Sequence, residues 1–446
     1  MASTQLTRTA TSGTNTKATF SAWVKKADAN EQFLFYHFGS SANNFRIRFD
    51  PDTIGVQTLS SSSSVMHLNT SAKFRDPSAW YHIVVAIDST QATDTNRAKI
   101  YVNGVQQTSL SATTYPPQNQ NMHFNESATV YIGGQAGSNY FNGSMTHLHW
   151  IDGTAYDADD FGESDSVSGI WKPKTAPSVT YGNNGFFLKM ENSGAMGTDS
   201  SGNSNTFTVS GTLTQNIDSH TNNFNTWNPL FKNTTTGIQS GGIGNGNTYL
   251  ASTSSNSYYS FGSTLAFPGT GKFYCEIKVG QVGGEWSTGI AEVDSISTLL
   301  NSGSTDDFAN NAKGYGYRNN GQKTGNSGST ASYGNSFTTN DIIQIAYNNG
   351  TLWFGKNGTW QNSATATEIA NGTTTNSAHT GIDTTGNYLI MFGAYNDAYA
   401  YMNAGNGYFQ TTAVASAGTA PSEGGIFEYD CPTGLQAIST LGINSF

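Results

Sequence analysis

The sequence predicts an all-β chain made of two antiparallel β-sandwiches in tandem. Three observations carry that expectation. Each half holds a β-prone run that ends at Asn-Gly: Lys99-Ile100-Tyr101-Val102-Asn103-Gly104, and Thr351-Leu352-Trp353-Phe354-Gly355-Lys356-Asn357-Gly358. Asn-Gly supplies the two positive-φ residues of a type I′ turn, so each run reads as strand, turn, strand. No window keeps a 3.6-residue apolar period, because Gly and Asn interrupt every candidate; the 446 residues include 50 glycines. Finally, charged residues are only 11% while aromatics reach 12% and hydrophobics 36%. That balance supplies real cores, favours short strands joined by turn-rich loops, and argues against disorder. The length is enough for two domains of ordinary size.

The elements follow in order. Thr19 to Lys26 opens the first clear strand, and Phe33 to Phe38 is the next. Phe45 to Phe49 alternates, with Phe45, Ile47 and Phe49 on one face and Arg46 and Arg48 on the other. Ser60 to Ser64 reads as a polar loop. Trp80 to Asp88 is almost wholly apolar and is expected to be central, leading through Ser89 to Asn96 into the first Asn-Gly hairpin. Val130 to Gly134, Phe141 to Met145, Leu148 to Ile151 and Gly185 to Met190 complete the first set. Thr206 to Val209 is a short strand, and 216–236, rich in Asn and Thr, reads as a linker. Domains are therefore placed at 1–215 and 237–446. In the second, Gly271 to Ile277 and Asp341 to Tyr347 are strands. Asn349-Gly350 and Asn357-Gly358 make a meander around Thr351 to Phe354, and Tyr388 to Phe392 and Phe427 to Tyr429 are further strands.

The first half resembles the laminin-G-like and concanavalin-A-like lectin jelly roll. The residues that carry the resemblance are Trp80-Tyr81-His82 with Asp88, Tyr101-Val102-Asn103-Gly104, and Ile132-Gly133-Gly134 followed by Phe141-Asn142-Gly143. The second half resembles the SPRY sandwich through Gly271-Lys272-Phe273-Tyr274-Cys275-Glu276, Gly289-Ile290-Ala291, and Leu352-Trp353-Phe354 with Lys356-Asn357-Gly358. Leu6-Thr7-Arg8-Thr9, the Asn-rich connector and the tail Pro432-Thr433-Gly434-Leu435 resemble bacteriophage structural proteins in which such sandwiches follow one another.

The net charge is −10 and no basic patch is present, which excludes nucleic acid as a natural partner. No apolar run is long enough to cross a bilayer, so membrane insertion is not expected. The segment Met1-Ala2-Ser3-Thr4-Gln5 lacks the basic and apolar regions of a secretory signal. Folding in a reducing cytoplasm is therefore expected, with Cys275 and Cys431 as buried free thiols; Cys275 falls on the apolar face of its alternating strand.

Catalysis is weighed because glycan-cleaving enzymes share the lectin-like fold. Retaining cleavage needs two carboxylates about 5 Å apart. Glu163-Ser164-Asp165 starts a suitable pattern, but no third acid follows; Glu428-Tyr429-Asp430 is interrupted by Cys431-Pro432. The expectation is no enzymatic activity and no catalytic residues. His147-Leu148-His149 offers two imidazoles on one face without an evident third metal ligand. No cofactor is expected, with Ca²⁺ as the one option. The lectin-like resemblance implies it, and Asp50, Asp52, Asp88, Asp94, Asp157, Asp159 and Asp160 are its candidate ligands.

Ligand-binding residues are placed at Tyr395, Asp397 and Tyr399, which alternation aligns with Tyr401, and at Trp286, Tyr315 and Tyr317 in Gly-rich loops. Aromatic rings beside amides are the chemistry of sugar recognition. The resemblance implies a non-enzymatic phage virion surface protein, a tail fibre, spike or capsid appendage, that recognises host-surface glycans or proteins. It would assemble in the host cytoplasm and act as a homo-oligomer or in multivalent display. The alternatives are a decoration protein that binds only other virion proteins and a polysaccharide-degrading enzyme.

Overall fold

In the computed structural model, residues 4–232, 238–252, 256–296 and 306–446 are described. The chain divides into two compact units, Met1–Gln215 and Asn216–Phe446. Each is a pair of β-sheets packed face to face, and the fold class expected from the sequence is the one found. Named strands pair antiparallel, except Gln436–Ala437, which pairs parallel with Lys272–Gln281. Among the described residues the longest helix is Ala366–Asn371.

In unit 1 the central strands of the eight-stranded sheet are Ser63–Thr70, Thr53–Ser60, Asn44–Asp50, Gln32–Phe38 and Thr129–Ile132, in that spatial order. The six-stranded sheet centres on Gly143–Asp152, Lys17–Lys26, Tyr81–Asp88 and Ala98–Val102. The alternating apolar residues of both sheets meet between them. Phe35 stacks on Trp150 at 4.3 Å, and Phe45 meets Phe124 edge to face at 5.2 Å. Ser60 to Ser64 is shorter as a loop than expected: two strands flank a turn at Ser61 and Ser62, both at positive φ. Phe141 to Ile151 is largely one strand, Gly143–Asp152, with a bulge at His147, where φ is 49°.

Both Asn-Gly pairs sit at two-residue hairpin turns. Asn103 and Gly104 have φ of 48° and 81°, as do Asn357 and Gly358. Each asparagine also ties its turn to the preceding strand. Asn103 Oδ1 accepts the His82 N–H at 2.8 Å, and Asn357 Oδ1 accepts the Ile342 N–H at 2.8 Å. The side chain thus stabilises both the left-handed backbone and the register.

In unit 2 one sheet is built around Tyr258–Ser263, Asn387–Tyr395, Glu285–Glu292 and Gly314–Arg318. The other centres on Tyr249–Ser252, Tyr399–Asn403, Lys272–Gln281, Ile342–Asn348 and Thr351–Lys356. Their core contains Trp286, Phe392, Tyr317, Phe354, Cys275 and Ile277. A second apolar layer, with Tyr274, Trp353, Phe427 and Leu435, covers part of the outer face of the latter sheet.

The linker is a correction. Phe224 and Trp227 are fully buried, Asn225 donates its N–H to Ile438 O at 2.9 Å, and Trp227–Lys232 pairs with Tyr258–Ser263. These residues belong to unit 2, and residues 233–236 of that stretch lie outside the described residues. Phe427 to Tyr429 is likewise not a strand: the N–H groups of Glu428 and Tyr429 go to the Glu276 carboxylate instead of a ladder.

Cys275 and Cys431 are free and buried, and burial pushes both thiols up from their ordinary pKa. A thiol reagent should therefore find no reactive cysteine in the native protein and two after denaturation without reductant. Finding fewer than two would mean that they are paired or modified.

Candidate functional site

The structure separates the six expected ligand residues. Trp286 lies on the strand Glu285–Glu292 and is fully buried, with its Nε1–H donated to Tyr399 O at 3.0 Å. Tyr317 lies on Gly314–Arg318, also fully buried, with its hydroxyl on Asn335 O and its ring stacked on Phe354 at 5.3 Å. Both are core residues, which corrects their assignment to ligand-binding loops. Tyr315 is half-buried and meets His379 edge to face at 5.3 Å.

Tyr395 and Tyr399 do not share a face. The chain leaves one sheet at Tyr395, turns at Asn396, where φ is 69°, and enters the other sheet at Tyr399. Tyr395 packs on Tyr258 at 4.7 Å. Asp397 holds the turn: the Gln281 amide donates to its Oδ2 at 3.0 Å and its carbonyl at 3.1 Å.

What the fold does assemble is a tyrosine platform at Tyr249, Tyr399 and Tyr401. Tyr249 and Tyr401 are direct cross-strand partners, and Lys278 pairs with Tyr401 from the other side. Tyr399, two residues before Tyr401, lies on the same face. The Tyr249 ring centroid is 5.5 Å from that of Tyr401 and 6.0 Å from that of Tyr399. All three rings are half-exposed. Gly280 makes room for the platform, since a Cβ there would lie 2.6 Å from Tyr401 Cζ. Burial, and then the neighbouring tyrosines, push the Tyr249 hydroxyl up to about 12; burial also raises Tyr401. These hydroxyls are therefore neutral at physiological pH and can both donate and accept. Tyr401 was visible in the alternating run; Tyr249 had no sequence signal, because its partners lie about 150 residues away.

The acidic candidates serve local structure. Asp165 Oδ1 accepts the N–H groups of Val167 and Ser168 at 3.0 and 2.9 Å, and Lys172 lies 3.1 Å from its Oδ2 and 3.7 Å from Glu163. The turn amides, then Lys172, hold Asp165 far below the usual carboxylate range, so it carries no proton to donate at neutral pH. Asp430 Oδ1 accepts the Thr419 N–H at 2.7 Å, and Glu428 accepts that of Ala415 at 2.8 Å.

The calcium candidates do not converge either. Asp50 pairs with Arg48, Asp52 with Arg75, and Asp88 with Lys17, while Asp94 accepts the Thr95 N–H. Asp157 accepts the Tyr101 hydroxyl, and Asp160 accepts the Asp157 N–H. Among the described residues no three His, Cys, Asp or Glu side chains come together as a metal site. His149 stacks on Phe187 at 3.9 Å and bonds the Tyr181 hydroxyl at 2.9 Å; burial holds it well below its ordinary pKa.

Residues 2–159 match the family described as the concanavalin A-like lectin/glucanases superfamily. No curated protein matches the chain. Among solved structures, the SPRY domain of human HERC1 is 14% identical with a TM-score of 0.29, covering 40% of this chain and 96% of that one. A native heptameric SAP-like pentraxin from Limulus polyphemus is 16% identical with a TM-score of 0.27, covering 34% and 71%. Domain 4 of AbnA, a GH43 extracellular arabinanase from Geobacillus stearothermophilus, in complex with arabinotriose, is 18% identical with a TM-score of 0.25, covering 32% and 64%.

Proposed function

We propose that this chain is a non-catalytic recognition protein that binds neutral sugar residues at the platform of Tyr249, Tyr399 and Tyr401. The observation that carries this reading is the convergence of three half-exposed tyrosines on one sheet face. Ring faces cover the apolar faces of sugars, and the hydroxyls exchange hydrogen bonds with theirs. The family match over residues 2–159 lies in unit 1 and supports lectin-like use of that unit, not of the platform itself.

Such a site is shallow, and each hydrogen bond only replaces one made to water, so a single contact is weak. Attachment then depends on many copies displayed together. A bacteriophage virion surface, as tail fibre or capsid appendage, supplies that display. This placement rests on the resemblance of Leu6-Thr7-Arg8-Thr9 and Pro432-Thr433-Gly434-Leu435 to phage structural proteins.

The test is a glycan array probed with the full chain, as monomer and on a multivalent particle. Multivalent display should bind neutral glycans and keep binding at high salt. Replacing Tyr399 and Tyr401 together by Ala removes roughly 1 kcal/mol per ring and should weaken binding about tenfold or more. Equal failure of monomer and particle on every glycan would leave a purely structural role, with virion subunits as the only partners.

A further inference from the structure

Unit 1 leaves one edge of its eight-stranded sheet open beside a slot. The edge strand is Thr208–Ser210, which pairs with Gln5–Thr9 in the register Thr7 to Thr208, Leu6 to Val209 and Gln5 to Ser210. The ladder decides which backbone groups face the free side. Ala10 donates its N–H to Ala128 O at 2.9 Å, so Ala10, Arg8 and Leu6 turn their backbone groups toward Thr129–Ile132. Gln5 and Thr7 therefore bond Ser210 and Thr208, and Val209 between them turns its N–H and C=O outward. Phe207, two residues earlier, obeys the same alternation: its N–H leaves the sheet and goes to Gly197 O at 2.8 Å.

Past that bond a cavity of about 550 Å³ opens between two stretches of chain, one around Ser193, Gly194 and Met196 and the other around Val209, Gly211 and Leu213. That volume is in the range of sites that hold a ligand. Its apolar side continues the core: Phe207 is buried there, Leu213 packs against it, and Val209 remains 36% exposed. No residue that lines the cavity carries a charge.

Open sheet edges are normally protected by charge, proline or a bulge. Trp227–Lys232, an edge of unit 2, carries Pro229, and Leu110–Thr114, at the opposite end of the unit 1 sheet, is bulged. Thr208–Ser210 has none of these devices.

These features select the occupant. The outward N–H and C=O of one strand residue are matched, at that spacing, by the N–H and C=O of another extended backbone. The apolar side takes one side chain of that strand, and the uncharged walls offer no counter-charge to an acidic or basic one. A sugar would find no exposed ring to stack on, since the one aromatic that lines the slot, Phe207, is buried. We propose that this slot binds an extended, uncharged peptide segment of a partner protein, which adds a strand at Val209 and seats an apolar side chain against Val209 and Leu213. The site does not depend on the tyrosine platform of unit 2.

The test is fluorescence polarisation of the full chain with a library of capped, dye-labelled pentapeptides that alternate valine, isoleucine or leucine with serine or threonine. At least one should bind. Methylating its backbone nitrogens one at a time should weaken it about fivefold at the residue opposite Val209 and little at the two neighbours, whose N–H groups point away. Val209→Pro removes the outward N–H and takes no bond from the ladder to Gln5–Thr9, so it should cost about tenfold or more with the unfolding midpoint little changed. Ala195, exposed and on the facing wall, gives a second variant: Ala195→Arg places a charge in the slot and should cost as much. Binding should survive replacement of Tyr399 and Tyr401 by Ala. The proposal is overturned if no library member binds, if methylation is silent at every position, or if either variant that folds binds as the wild type does. It is also overturned if maltohexaose displaces the peptide, if the unit 2 substitutions abolish binding, or if sedimentation shows a dimer of the chain that Val209→Pro dissociates, which would give the edge to a second copy.

Discussion

Replacing Trp286 by Ala should destabilise the second unit by about 3–5 kcal/mol, the cost of a large cavity in a closed core. The indole is fully buried, 5.2 Å from Phe392 and 5.5 Å from Phe337, and its Nε1–H holds the Tyr399 carbonyl. Trp286→Phe keeps most of the volume and loses that hydrogen bond, so it should cost markedly less. Denaturant unfolding measures both. The substitution also reaches the platform, because it frees the backbone that positions Tyr399. If Trp286 were a surface ligand contact, as its Gly-rich surroundings suggest in sequence, Trp286→Ala would leave the unfolding midpoint unchanged.

The contribution of Glu276 to stability should fall as pH rises from about 4 to 7, opposite in sign to that of the buried histidines His37, His149 and His379, whose lowered pKa values add stability as pH rises toward about 6.5. Its carboxylate is fully buried and accepts three donors: the Tyr274 hydroxyl at 2.9 Å and the N–H groups of Glu428 at 2.8 Å and Tyr429 at 2.9 Å. Burial outweighs these donors and pushes the group up to about 7. A folded-state pKa raised above the unfolded value adds stability below the unfolded pKa, near 4.3, and that stability is lost as pH climbs through about 7. The loss is on the order of 3 kcal/mol at one pKa unit per 1.4 kcal/mol. Glu276→Gln cannot titrate. Its stability relative to that of the wild type should therefore increase as pH rises from about 5 to 8, whatever its absolute stability. Parallel profiles would mean that another group governs the pH response.

The elements legible in sequence were those with local causes. Asn103-Gly104 and Asn357-Gly358 could be placed because the turn type, the amide that caps it and the flanking strands all lie within a few residues. Tyr81–Asp88 was legible because a central strand is apolar on both faces. The misreadings have distant causes. Phe224 and Trp227 sit in a turn-rich stretch, and their partners, Ile438 with Ser439 and the strand Tyr258–Ser263, are far along the chain. Gly283 and Gly284 suggested a loop around Trp286. They are small because Asp397 and Tyr395 press against them, with a Cβ at either meeting atoms at 2.6 Å. The alternation from Tyr395 to Tyr401 stops at Asn396, whose positive φ moves the chain from one sheet to the other. Period-two reasoning holds only within one strand, so the platform could not be drawn from that run alone. Arg46 and Arg48 were correctly placed on one face, but that Arg48 pairs directly with Glu31 and Asp50 while Arg46 bonds Gln57 could not be read from alternation alone.

The central claim is recognition without turnover at the platform of Tyr249, Tyr399 and Tyr401. The most direct measurement captures a neutral surface oligosaccharide on the multivalently displayed chain, elutes it after prolonged incubation and weighs it by mass spectrometry, with the Tyr399→Ala, Tyr401→Ala double variant in parallel. The account predicts an oligosaccharide of unchanged mass, retained by the wild type and largely lost by the variant. Cleavage products, or equal retention by both proteins, would contradict it.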